Sequence, residues 1–343
     1  MRSFKRALLA VLAFLLCAAL LSVLLLLPLM TGRSGYDDSR RRRELAGQID
    51  LLISGASYGA NGLVPDIIDE AYGCTSYNLS SFRSSMEGRY ALLEQELERN
   101  PVRTVVMEIS ADSFSRDPAG EHGKGEATTI ARLDGYGRKF AYAFDTLSLA
   151  DSGYDNVYSM LLGYGVHGWI GMLRGSSDGV AENRGWWSFP ASDVSLSAEQ
   201  AAADYGREGI ENTWYPALTE KFVEIAGLCA QHDAELLVVV TPLSDGQLWC
   251  TAGLDDFRAQ LLALCQENGC DCLDFNLYRD RGSCLSDARS YMDRSHLSSE
   301  GAAAFSRIFG ETLAAREMGD VSALFYASYA EALAHSPYAA ANA

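Results

Sequence analysis

The stretch Ile49-Asp50-Leu51-Leu52-Ile53-Ser54-Gly55-Ala56-Ser57-Tyr58-Gly59 decides how the chain is read. A short apolar run bounded by small residues is a buried strand that ends in a tight turn. The turn leaves a serine between small neighbours, the arrangement that lifts a hydroxyl above the edge of a sheet at the start of a helix. Thr75–Leu79 and Val102–Ile109 read as further strands, the latter apolar on both faces. Between them, Ser84–Arg99 places Met86, Tyr90, Leu93 and Leu97 at helical spacing.

The alternation resumes downstream. Trp214–His232 is expected to be a helix, Glu235–Thr241 a strand, Leu254–Glu267 a helix, Cys270–Phe275 a strand and Ser299–Ala315 a final core helix. Strands alternating with helices predict an α/β fold, a three-layer sandwich around a central parallel sheet. From about 111 to 196 the alternation stops, and a Gly-rich, aromatic-rich insertion is expected to hold helices of its own. Its Trp169, Trp186 and Trp187 suit either a glycan platform or the core of a small subdomain. Residues 319–343 form a tail, with a peripheral helix and disordered last residues expected.

At the other end, Ala7–Met30 is 24 residues without a charge. At about 1.5 Å per residue this stretch spans a hydrocarbon core about 30 Å thick. It is longer than a signal-peptide core and lacks a small-x-small cleavage site, which predicts an uncleaved single-pass anchor over residues 1–30. Residues 31–48 are polar and basic, a juxtamembrane linker or helix leading to an α/β domain over 49–318. The flank after the span carries five arginines against three basic residues before it, so the positive-inside rule alone would leave the domain in the cytosol.

The formal charge of the 343 residues is -17. Residues 1–43 hold eight basic and two acidic residues, a net +6; the other 300 hold 20 basic against 43 acidic, a net -23. That sign excludes nucleic acid as a natural partner. It also favours a neutral or weakly charged polymer over a phosphate-rich one. Eight cysteines, one of them inside the span, leave an odd number for pairing, and Cys270-Asp271-Cys272 is too tight for a zinc knuckle. Neither a metal nor a cofactor is expected.

The second chemical element is Asp293-Arg294-Ser295-His296-Leu297. A carboxylate three residues before a histidine can hold one ring nitrogen while the other faces a nucleophile. In a parallel α/β sheet both segments fall at the carboxyl ends of strands, where active groups gather. Ser57 as nucleophile, His296 as base and Asp293 as orienting group make an acyl-transfer triad. An α/β-hydrolase, which shares Gly-x-Ser-x-Gly and this chain order, normally places several strands before its elbow, whereas Ser57 follows the first.

Strand, Gly55-Ala56-Ser57, alternating elements and Asp293-x-x-His296-Leu297-x-x-x-Gly301 together resemble the SGNH/GDSL hydrolase superfamily. The anchor, Asn78-Leu79-Ser80 and His296-Leu297-Ser298-Ser299-Glu300-Gly301-Ala302 resemble its membrane-anchored branch, the DltD-like and AlgX-like proteins of cell-envelope polymer acylation. The resemblance covers about residues 49–110 and 234–313. It implies a flavodoxin-like sheet and a serine acyltransferase or esterase acting on an envelope polysaccharide or related polymer. It also implies an extracytoplasmic domain and a multi-span membrane acyltransferase as partner. Residue by residue, it makes Ser57, His296 and Asp293 the triad and assigns oxyanion amides to Ser57 and to Ser80 or Arg83. The sequence departs from the family at Ser80, where a glycine is usual, and after the third strand, where Glu108-Ile109-Ser110 replaces Gly-x-Asn. Those departures motivate one alternative, a non-catalytic scaffold of an acylation complex; a lipid or peptide esterase is a further alternative.

Overall fold

The computed structural model describes residues 2–31, 33–116, 125–149, 180 and 182–339. Five parallel strands form the central sheet: β1 (Leu51–Ser54), β2 (Ser76–Asn78), β3 (Thr104–Glu108), β4 (Glu235–Val240) and β5 (Asp271–Asp274). Their order is β2-β1-β3-β4-β5, with Leu51 beside Ser76 on one side and Thr104 on the other. The order reverses between β1 and β3, and an open parallel sheet has its ligand crevice at the carboxyl ends of the strands flanking such a reversal.

Pleating sends alternate side chains to opposite faces, and both faces are covered. Leu52, Val105, Met107, Leu236 and Val238 lie on one face, packed with Leu93 of α5 (Met86–Leu97), Phe222 of α8 (Pro216–Gln231) and Phe257 of α9 (Leu254–Glu267). Leu51, Ile53, Val106, Leu237 and Val239 lie on the other, under Ile68 of α4 (Pro65–Tyr72) and Phe305 and Phe309 of α10 (Ser299–Met318). Each such side chain contributes about 1.5–3 kcal/mol on burial, which makes this double-sided core the main stabilising term. Between β1 and α4 lies the short α3 (Ser57–Gly62). The insertion contributes α6 (Glu126–Arg132) and α7 (Tyr136–Leu149), and the tail contributes α11 (Tyr329–Ala334). Trp169 and the last four residues, 340–343, lie outside the described residues.

The chain begins with α1 (Arg2–Thr31), whose Phe4–Leu24 segment has a mean hydropathy of 2.9 and is long and apolar enough to cross a membrane. Of the expected linker, Arg33–Glu44 is helix α2. Its charges have a folded role that no periodicity reveals. Arg42 is fully buried, with Nε 3.1 Å from Asp38 Oδ2 and Nη1 on Glu96. Arg132 of α6 joins the same knot, with Nε 3.0 Å from Asp38 Oδ2 and Nη groups donating to the carbonyls of Asn78, Leu79 and Ser80. Burial alone would raise the Asp38 pKa; the Arg132 and Arg42 charges outweigh it and hold it below the ordinary carboxylate value. This ionic knot pins α2 to the end of β2, next to the crevice. All eight cysteines are free thiols.

Candidate active site

Ser57 enters α3 immediately after β1, at the sheet's reversal point. Glycines stand two positions to either side, at Gly55 and Gly59, because the backbone there is crowded. A Cβ on Gly55 would stand 2.6 Å from Glu108 Oε2 and 2.7 Å from Glu108 Cβ, and one on Gly59 would stand 2.7 Å from Ser80 Oγ. The Gly-x-Ser-x-Gly pattern is thus set by the close approach of β3 and of the segment after β2.

The histidine arrives on the loop before α10. Asp293 Oδ1 accepts the backbone N–H groups of Ser295 and His296, both at 2.7 Å, which folds the loop back on itself. A bridge between Tyr291 and Leu297 closes its base. Ser298 caps α10 by accepting from Gly301 N at 3.2 Å, and Gly301 leaves room for the Ser290 carbonyl, which a Cβ would meet at 1.9 Å.

The result is a continuous chain of hydrogen bonds. Ser57 Oγ lies 2.8 Å from His296 Nε2, and His296 Nδ1 lies 3.0 and 3.1 Å from the two carboxylate oxygens of Asp293. The Tyr58 ring stacks on the imidazole at 4.7 Å between centroids and 18° between planes. Burial opposes ionisation of Asp293, but the N–H groups of Ser295 and His296 and the imidazole overrule it and hold its pKa below the usual value. An ionised Asp293 favours the proton on Nδ1, leaving Nε2 free to accept from Ser57.

The expected oxyanion donors divide. Ser57 occupies the first turn of α3, where a backbone N–H has no intrahelical acceptor. Arg83 has a left-handed backbone (φ 56°) and shares a cavity with Ser57. The Ser80 amide corrects the expectation: it donates to Asn78 Oδ1 at 2.9 Å, and Ser80 is fully buried. Asn78 itself works as a staple, its Nδ2 donating to the carbonyls of Gly59 and Leu63 at 2.9 and 2.8 Å.

Two cavities flank Tyr58. One, of about 100 Å³, is lined by Ala56, Ser57, Arg83, Ser84 and Arg89 among others. The second, of about 180 Å³, lies across Tyr58 and Asp112 toward Thr241 and Gln247. Beneath the elbow sits Glu108, fully buried at the end of β3, accepting Ala56 N–H at 2.8 Å. Burial pushes its pKa up, against the pull of Arg89.

Trp186 and Trp187 are both half-buried, in a segment that crosses the top of the sheet. Trp186 Nε1 donates to Asn61 O, Trp187 N donates to Ala60 O, and Ser192 N donates to Tyr291 O. The segment therefore ties the serine helix to the histidine loop. The Trp187 ring meets Phe82 edge-on at 5.2 Å. Among the described residues no cluster of His, Cys, Asp and Glu could hold a metal ion. No family model matches the chain, and no curated protein matches it.

Proposed function

We propose that the protein is a membrane-anchored serine acyltransferase or esterase of SGNH type, working on an ester of a cell-envelope glycan or related polymer. The single observation that carries this reading is the Ser57–His296–Asp293 hydrogen-bond chain at the reversal point of a parallel sheet. Ser57 Oγ attacks the ester carbonyl carbon as His296 Nε2 takes its proton. The tetrahedral adduct collapses, the C–O bond to the leaving alcohol breaks, and His296 returns the proton to that oxygen. A glycan hydroxyl or water then attacks the acyl-Ser57, giving its proton to His296, which passes it to Ser57 Oγ as the acyl–oxygen bond breaks. Asp293 stabilises the imidazolium in both halves.

The apolar α1 supports a membrane location, and the negative charge of the soluble part favours a polymer of low charge. The extracytoplasmic placement and the multi-span acyl-donating partner rest on the family resemblance. Treating the purified chain with a fluorophosphonate probe tests the chemistry: labelling at Ser57 is expected, and a folded protein that resists labelling defeats the proposal.

One observation favours a second reading. With the Ser80 amide already engaged by Asn78 Oδ1, an oxyanion would have one fewer donor, as in a non-catalytic scaffold of an acylation complex. Ser57→Ala separates the two, since a scaffold keeps envelope acylation in cells carrying the variant and an enzyme loses it.

A further inference from the structure

We propose that the cavity beside Ser57 receives a short acyl group ending in a carboxylate, with the Arg89 guanidinium as its counter-ion. This rests on the acyl-enzyme reading and names the acyl class.

Arg89 projects from α5 and is 3% exposed. A buried guanidinium is ordinarily matched by a carboxylate. Arg89 has no ion-pair partner among the described residues. Its Nη1 donates to the Glu108 carbonyl at 2.8 Å, and its Nε has no acceptor. The nearby acids are poor counter-ions. Glu108 is itself pushed toward its neutral form by burial, and its Oε2 is taken by Ala56 N–H. Asp112 is paired with Arg116 and accepts from Ser110 Oγ. A guanidinium keeps its proton even when burial lowers its pKa, so a positive charge is left over in the cavity wall.

A second donor stands in the same wall. Ser84 is 9% exposed and its Oγ has no partner. Arg89 Nε and Ser84 Oγ are two buried donors without acceptors in one cavity with the nucleophile, and an anionic acceptor would satisfy both; Glu87 Oε2, in the same lining, is a buried acceptor without a donor. Size limits the occupant. A cavity of about 100 Å³ lies well below the roughly 300 Å³ of the smallest drug-sized pockets, which suits a short acyl limb. Met86 and Leu218 in the lining can cover a few methylenes. The class that fits is a dicarboxylic half-ester of succinyl length.

The test compares mono-4-nitrophenyl succinate with 4-nitrophenyl butyrate on the full chain in detergent. At least a tenfold higher kcat/KM for the succinate is expected, with that ratio falling at least tenfold in Arg89→Gln and severalfold in the milder Ser84→Ala. Equal kcat/KM values, or a preference that survives both substitutions, overturn the proposal. Binding is read separately in the Ser57→Ala chain, where monomethyl succinate should raise Tm and methyl butyrate should not, with the rise lost when Arg89→Gln or Ser84→Ala is added. If no ester is cleaved but this Arg89-dependent or Ser84-dependent rise is seen, the catalytic reading falls and the subsite stands; if esters are cleaved and the rise is absent, the subsite falls alone.

Discussion

Ser57 Oγ and His296 Nε2 lie 2.8 Å apart although 239 residues separate them in the chain. Neither residue is carried there by a neighbour in sequence; each is aimed by its own crowded turn. Asp293→Asn keeps the turn's carbonyl acceptor but no longer selects the Nδ1–H tautomer, so ester hydrolysis should fall by about 10³–10⁴ in kcat. The lowered pKa of Asp293 gives a sign as well. Its contribution to stability is present above the ordinary value of 3.8 and is lost as pH falls through the lower folded value. Circular dichroism at graded acid pH should show Asp293→Asn less acid-sensitive than the parent.

Tyr58 holds the imidazole flat by stacking. Tyr58→Phe keeps the ring and should keep kcat within about threefold, whereas Tyr58→Ala frees the His296 ring and should lower kcat about 10-fold or more with a smaller change in KM. Steady-state kinetics on one chromogenic ester checks the split.

Glu108 should make folding pH-dependent in the direction opposite to Asp293. Its pKa is raised above the ordinary value of 4.5, so the folded state holds the proton more tightly than the unfolded chain. Stability then falls as pH rises through that window. Glu108→Gln mimics the neutral carboxyl and can still accept Ala56 N–H. Urea unfolding should find it more stable than the parent at about pH 8 and nearly equal near about pH 4.

Gly55→Ala forces a methyl into Glu108. The expected cost is about 1–3 kcal/mol from overpacking, with a loss of Ser57 reactivity larger than the stability change explains, because the elbow must shift. Fluorophosphonate labelling rates on folded protein, set beside unfolding curves, make the comparison.

Arg42 and Arg40 are two residues apart and should behave differently. Arg42→Met leaves Asp38 to Arg132 alone and buried Glu96 to Arg99 at 3.6 Å, and should cost about 3–5 kcal/mol. Arg40 pairs with Glu44 on the surface, and Arg40→Ala should cost under about 1 kcal/mol. Unfolding of both variants in the same detergent tests the contrast.

Much of this was legible in the chain. Leu51-Leu52-Ile53 and Leu236-Leu237-Val238-Val239-Val240 announce strands because a strand covered on both faces must be apolar throughout. Ser57, Asp293 and His296 stood out because their spacing has a chemical purpose. Glu108, Arg89, Arg42 and Arg132 did not, since a charged residue reads as surface until its partners are known, and those partners lie on other elements. Ser80 misled for a related reason: the direction of a backbone N–H depends on Asn78 folding back two residues, which composition does not encode.

The seat of Arg42 has a consequence for reach. With α1 in a bilayer, the domain is held close to the lipid, because α2 begins at Arg33, two positions after α1 ends at Thr31, and is bolted through Asp38 and Arg132 to the end of β2. The short tether limits how far Ser57 can range from the lipid surface. Inserting one helical turn between Asp38 and Arg42 would lengthen that tether by about 5.4 Å and also unseat the guanidinium, so reach and folding are tied to the same side chain.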